Sequence, residues 1–244
     1  MGEVVRQVSE DIQIIETDEL FFSIHNHSEF SNLRMRDSIN KIEDMMDRAY
    51  ELGYSGMALT DHEALSGAVR GITHYYKKYA NTKFKLALGN EIYLVNDVEG
   101  IKENGGKYTH FILLAKNEKG WRLLRELSTQ AWENHFVSGV ERTPIDKKQL
   151  EDIIGDNKGN IIASTACLGG EFAQLVTKYL ASDCKDLDTK REIHKFLTWC
   201  VSIFGKDNFY IELAPSLDEE QIAFNKFAIN IAEAYRLKYI LATD

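Results

Sequence analysis

The sequence predicts an α/β barrel. Seven short apolar segments have the composition of buried strands, helical periodicity fills most of the gaps between them, and side chains able to bind metal collect at the strand ends. Strands alternating with helices imply parallel pairing through right-handed crossovers, which leaves an open doubly wound sheet or a barrel. An open sheet gathers its site where the strand order reverses, whereas a barrel draws residues from many strand ends into one mouth. Here the candidates lie at or just after strands one, two, three, five and seven and near the start of strand four, which favours the barrel.

The first strand is Phe21 to His25, and Ser38 is placed to cap a helix over Ile39 to Leu52. In that helix Ile42, Met45, Met46, Ala49 and Leu52 make an apolar stripe, and Gly53 stops it. Strand two, Ser55 to Thr60, leads to a helix over Ala64 to Tyr79. Strand three, Lys85 to Val95, is joined to strand four, Thr109 to Ala115, by a turn-rich loop with Asn104-Gly105-Gly106. That link resembles a hairpin and predicts one antiparallel strand. Helices over Lys119 to Asn134 and Lys147 to Ile154 precede strand five, Asn160 to Ser164. Helices over Glu171 to Leu180 and Thr189 to Phe204 precede strand six, Phe209 to Leu213. A helix over Glu219 to Tyr235 precedes strand seven, Tyr239 to Thr243.

With 244 residues, 44% of them hydrophobic, the chain can bury one full core. Residues 1–19 read as an N-terminal extension and 20–244 as a single domain. No apolar run approaches the roughly 18 to 20 residues that span a bilayer, and Met1 to Glu16 is too polar for a signal peptide. No membrane partner and a cytoplasmic location are therefore expected. Cys167, Cys184 and Cys200 are odd in number and lack CxxC spacing, which disfavours a disulfide framework or a zinc finger. A net charge of −9 opposes broad attraction to phosphates, so any nucleic acid must be held locally.

His25 and His27 stand two apart on a strand, so their imidazoles project to one face. Paired imidazoles suit Zn, Mn or Fe. Thr60-Asp61-His62, Gly89-Asn90-Glu91, Thr109-His110, Ala166-Cys167 and Asp244 continue the series. Any one of these has a plain explanation as a core histidine, a helix cap or a small filler, but accidents would not fall at the ends of successive strands. His74 and His194 read as surface or packing residues, and Trp121 and Trp132 as outer-layer filler. Trp132, His135 and Arg142 lie near a loop that can approach the mouth. Arg34 and Arg36, after the first imidazole pair, are candidate contacts to a DNA backbone.

His25-Asn26-His27-Ser28, Leu59-Thr60-Asp61-His62, Gly89-Asn90-Glu91-Ile92-Tyr93, the run from Thr109 to Asn117 and Ser164-Thr165-Ala166-Cys167-Leu168-Gly169-Gly170-Glu171 occur in this order. Together they resemble the polymerase-and-histidinol-phosphatase (PHP) domain, in the version at the N-terminus of the bacterial and phage DNA polymerase III alpha subunit. The likeness covers residues 20–244. Ala-Cys-Leu-Gly-Gly-Glu points to the polymerase branch rather than to the small phosphatases.

The resemblance implies a distorted seven-stranded (β/α)7 barrel holding up to three divalent ions, Zn, Mn or Fe. Carried over by position, the metal ligands are His25, His27, Asp37, His62, Glu91, His110, Cys167 and Asp244, with Asp61 orienting a ligand. Glu91, His62 and His110 take the catalytic roles. The family motif runs on past Asp244 to a further histidine, so the domain is expected to be truncated at its last motif.

The implied function is metal-dependent phosphodiester hydrolysis, a 3′-to-5′ exonuclease suited to proofreading in DNA replication. Its partners are a DNA 3′ end, the remaining polymerase domains and a proofreading subunit. The rival readings are a phosphoesterase of the histidinol-phosphatase type and a non-catalytic scaffold of the polymerase.

Overall fold

Gly53, in the left-handed region at φ 78°, reverses the chain between a helix and a buried strand, and such helix-to-strand steps recur along the protein. The computed structural model describes residues 20–33, 38–138 and 140–242. Its order is β1 (Phe22–Ser23), a 3₁₀ turn (Glu29–Leu33), α1 (Ile42–Glu51), β2 (Gly56–Leu59), α2 (Ala68–Lys78), β3 (Lys85–Val95), α3 (Val98–Asn104), β4 (Thr109–Ala115) and α4 (Glu118–Glu133). There follow β5 (Phe136–Ser138), β6 (Val140–Arg142), β7 (Ile145–Asp146), α5 (Lys147–Ile154), β8 (Ile161–Ser164), α6 (Glu171–Ala181) and α7 (Leu187–Phe204). A second 3₁₀ turn (Lys206–Asn208), β9 (Phe209–Leu213), α8 (Glu219–Tyr235) and β10 (Lys238–Leu241) complete it.

The fold is mixed α/β. Seven strands form a curled sheet in the order β1-β2-β3-β4-β8-β9-β10, with β7 attached beside β3. This is the distorted barrel, opened between β1 and β10 among the described residues. β4 runs antiparallel to both β3 and β8, and the other neighbours on this path are parallel. The antiparallel strand expected from the Asn104-Gly105-Gly106 link is thus β4. That link also contains α3, whose Asp97 caps the N–H of Glu99 and which ends at Gly105 with φ 68°.

Strand alternation sorts the side chains. Phe111 and Leu113 of β4 pack outward against the helices, while Ile112 and Leu114 fill the barrel with Ala58 and Ala166. A second outer core joins Ile42, Met46 and Ala49 of α1 to Met57, Leu59, Tyr79 and Phe84. Trp121 packs on the outer layer as expected, whereas Trp132 is exposed. No helix among the described residues is long and apolar enough to cross a membrane.

Two helices begin later than their periodicity suggests, for one reason. Ser38 does not cap α1. Its hydroxyl donates to the carbonyl of His27 at 2.8 Å, and α1 starts after Lys41 with no side-chain cap. Likewise Ala64 to Gly67 precede α2 because Asn90 Nδ2 donates to the carbonyls of Asp61 and Ala64, at 2.7 and 3.1 Å. In both places the histidine-bearing turns claim residues that local propensity assigns to helix.

α1 and α2 are tied together by Asp47, which accepts from His74 Nε2 at 2.7 Å, from Lys78 Nζ at 2.6 Å and from the Tyr79 hydroxyl. Burial alone would raise the Asp47 carboxyl, but these donors outweigh it and hold it far below the ordinary carboxylate range. Burial and the same carboxylate push Tyr79 up to about 12. A depressed carboxyl stabilises the fold above its unfolded value, about 3.9, and that contribution is lost as pH falls through the folded value. Asp47→Ala is therefore expected to cost about 1–2 kcal/mol at pH 7. The gap to the wild type should narrow once pH drops below about 4, as urea unfolding at several pH values will show.

Candidate metal centre

β1 ends at Ser23, and the chain leaves the sheet with the His25 and His27 rings turned toward Glu91, a side chain with no exposed surface in the middle of β3. His62 follows β2 and forms an isolated bridge with Glu91, while His110 lies one step into β4, paired with Tyr93. The inward face of β3 carries Glu91, and the inward face of β4 carries His110 beside Ile112.

Four imidazoles surround the one carboxylate. Oε2 of Glu91 lies 3.4 Å from His25 Nε2, 3.0 Å from His27 Nε2 and 2.8 Å from His62 Nδ1, and Oε1 lies 2.7 Å from His110 Nδ1. Two clusters result, His25–His27–Glu91 and His62–Glu91–His110, each with its donor atoms within 4.8 Å of one another. Cys167 Sγ is 3.6 Å from His110 Nδ1.

The imidazoles have their own supports. His25 Nδ1 is 2.7 Å from Glu212 Oε1, and the other oxygen of Glu212 accepts from the Ser164 hydroxyl at 2.6 Å. His27 Nδ1 is 3.0 Å from the Ser31 hydroxyl, which donates to Asp61 at 2.9 Å. Asp61 also accepts from the Ser28 N–H and hydroxyl, at 2.6 and 2.8 Å, so it fastens the turn after His27 and belongs to neither cluster. A carboxylate or hydroxyl on one ring nitrogen fixes the direction of the other, the usual arrangement behind metal-binding histidines.

The Cys167 turn is held close by its glycines. A Cβ on Gly170 would lie 2.1 Å from the carbonyl of Thr165, and one on Gly169 would lie 2.8 Å from His110 Nδ1. Only hydrogens fit there, so Gly-Gly lets the turn lie against the His110 ring. Ala166, ahead of the thiol, sits in the left-handed region at φ 58°.

Burial alone would raise the Glu91 carboxyl, but His110, His25, His27 and His62 outweigh it and hold it well below the ordinary range. Burial would lower the His25 imidazole, but Glu212 and Glu91 outweigh it and hold it well above its usual value. Yet neither Glu91 oxygen makes a hydrogen bond of acceptable geometry, although both are buried. Nitrogens crowd the carboxylate at bonding distance but off the line that an N–H···O bond needs. Buried lone pairs that converge without directed hydrogens suit a divalent cation, and nitrogen, oxygen and sulfur donors together suit Zn or Fe, with Mn favoured by carboxylate.

The structure thus brings together His25, His27, His62, Glu91, His110 and Cys167, with Asp61 behind them. Arg34, Arg36, Asp37 and Asp244 lie outside the described residues. Sequence reasoning misses Glu212, which reads only as part of an apolar strand. Its one signal is a carboxylate inside Phe209-Tyr210-Ile211-Glu212-Leu213, where a charge needs a buried partner. His74 and His194 are occupied away from the mouth, by Asp47 and by the Tyr235 hydroxyl. Cys200 is buried and Cys184 exposed.

The PHP domain profile matches residues 23–216. The chain is 44% identical over 234 residues to the protein described as "Probable DNA polymerase YorL" of Bacillus subtilis, and equally to a "DNA-directed DNA polymerase" of Bacillus phage SPbeta. Each alignment covers 90% of this chain and 18% of the relative. It is 31% identical over 227 residues to a "DNA polymerase III subunit alpha" of Borreliella burgdorferi, covering 92% of this chain and 18% of that one. The chain thus spans less than a fifth of the length of these relatives.

Among solved structures, an amidohydrolase from Chromobacterium violaceum shares the fold with a TM-score of 0.50 and 14% identity, over 91% of this chain and 86% of that one. Profile match and relatives together show that this chain belongs to the PHP domain family and is homologous to DNA polymerase III alpha subunits.

Proposed function

We propose that this domain hydrolyses phosphodiester bonds at a DNA 3′ end, a proofreading exonuclease within a replicative polymerase. The observation that carries the reading is the sharing of Glu91 between two imidazole pairs, which offers adjacent seats for two divalent ions. His25, His27 and Glu91 would hold one ion. His62, Glu91 and His110, with Cys167 beside His110, would hold the other. Asp37 and Asp244 are proposed as further ligands, and Arg34 and Arg36 as guides for the DNA backbone.

Bound ions would lower the pKa of a water molecule and neutralise phosphate charge in an in-line displacement. The protein's own groups do the orienting. Glu212 fixes which nitrogen of His25 faces Glu91, Ser31 and Asp61 do the same for His27, and the Gly169-Gly170 turn seats the thiol beside His110. In a polymerase, the partners would be the remaining polymerase domains and a proofreading subunit.

The test is release of nucleotides from a labelled, mismatched primer together with metal analysis. The wild-type chain is expected to bind at least two ions and release nucleotides. His25→Ala with His27→Ala should lower release by at least about a hundredfold. Turnover of small phosphomonoesters with none of DNA would replace this reading by a small-molecule phosphoesterase, and absence of bound metal would replace it by a scaffold.

A further inference from the structure

The β5–β6 hairpin is a two-stranded sheet of its own, yet its last residue is planted beside the mouth. The Arg142 guanidinium lies 5.2 Å from the ring centroid of Tyr93 and 5.1 Å from that of Tyr108. Its Nη1 is 3.8 Å from Oε2 of Glu63, whose side chain is fully buried. Glu63 Oε1 accepts from the N–H of Thr143 at 2.6 Å and from its hydroxyl at 3.2 Å, so one carboxylate bonds the residue that follows the hairpin and lies in ion-pair range of the residue that ends it.

Both anchors of this grip belong to the mouth. Glu63 follows His62 directly, with its backbone in the left-handed region at φ 51° and its N–H donating to the carbonyl of Glu91 at 2.9 Å. A non-glycine residue holds that conformation only where its surroundings enforce it. Tyr93 stacks on His110 at 5.1 Å with the ring planes 6° apart, and meets the edge of His62 at 5.7 Å. Arg142 is thus one aromatic ring away from two candidate ligands. His25 and His27 are oriented by different groups, Glu212 and Ser31.

We propose that Arg142 and Glu63 form a clasp through which the β5–β6 hairpin positions His62 and His110, governing occupancy of the His62–Glu91–His110 cluster and leaving the His25–His27–Glu91 cluster nearly unchanged. The clasp presupposes that the two clusters hold metal. Arg142 is a positioning residue in it, acting through Tyr93 and, with Glu63, on the backbone after His62. Contacts behind metal ligands are worth about 10- to 100-fold in affinity. The two clusters share Glu91 and a His27–His62 ring stack at 4.2 Å, so the first cluster is expected to respond weakly rather than not at all.

Titration of the whole chain with cobalt(II), followed by absorbance, separates the clusters. A thiolate on cobalt gives a charge-transfer band that imidazole and carboxylate lack, and Cys167 is the neighbour of His110. In Arg142→Met the step marked by that band should weaken by about tenfold or more while the other changes by less than about threefold. Arg142→Lys keeps the charge but loses the planar group that lies over the rings, and should recover only part of the loss.

Glu63→Gln keeps the shape of the anchor and should give the same selective loss, which preserves the test if Arg142→Met does not fold. Variants that load both ions like the wild type, or lose both steps alike, would overturn the clasp alone. A wild-type chain that takes up no cobalt would overturn the metal reading and the clasp with it.

Discussion

Glu91→Gln is expected to strip the protein of both ions at once. The substitution keeps the size of the side chain but exchanges an anionic oxygen for an amide nitrogen, which donates hydrogen bonds and cannot bind a cation. Because both clusters count Glu91 among their donors, one substitution removes the anionic oxygen that each cluster depends on. Affinity for both ions should fall by at least about a hundredfold, and nucleotide release with it. Equilibrium dialysis with metal analysis of wild type and variant checks this. A variant that keeps one ion per chain at near wild-type affinity would show that the clusters do not share this carboxylate. Loss of single imidazoles should be milder, because each belongs to only one cluster.

Much of this centre is legible in the amino-acid sequence because strand alternation carries information over short distances. His110 lies on the same face as Ile112 because β4 is a regular strand, and Glu91 faces inward because β3 is. The pair His25 and His27 comes together as expected, but not by strand spacing: the strand expected to run to His25 ends at Ser23, and the two rings are turned inward by side-chain contacts. What local pattern cannot carry is competition between a turn and a helix. Ser38 has the chemistry of a cap, but the carbonyl of His27 takes its hydroxyl, and α1 starts three residues later than the pattern suggests. The hairpin from Phe136 to Arg142 escapes the pattern for another reason: strands of three residues are too short for alternation to register. Arg142 stands out in the sequence only for its closeness to a loop, since its value lies in rings supplied by β3 and by the residue before β4.

Glu212→Ala is expected to be the most destabilising single change at the mouth. Glu212 is 3% exposed, and its two oxygens meet His25 Nδ1 at 2.7 Å and the Ser164 hydroxyl at 2.6 Å. Truncation removes the nearer of the two carboxylates beside a fully buried imidazole and leaves a buried hydroxyl without its acceptor, a loss of about 3–5 kcal/mol. Glu212→Gln retains the volume and an acceptor, and should cost about 1–2 kcal/mol. Denaturant unfolding of the metal-free proteins measures both, and an alanine variant as stable as the wild type would mean that the His25–Glu212 contact carries no weight.

The same pair of variants separates folding from orientation. Glutamine can occupy the place of the carboxylate but supplies no charge to hold the His25 proton on Nδ1, so its loss of affinity at the His25–His27–Glu91 cluster should exceed what its small loss of stability explains. Equal affinity in Glu212→Gln and wild type would assign Glu212 to the fold alone. Weakened affinity in a well-folded variant would assign it to the direction of the His25 lone pair, which is the role its position in an otherwise apolar strand requires a physical reason to have.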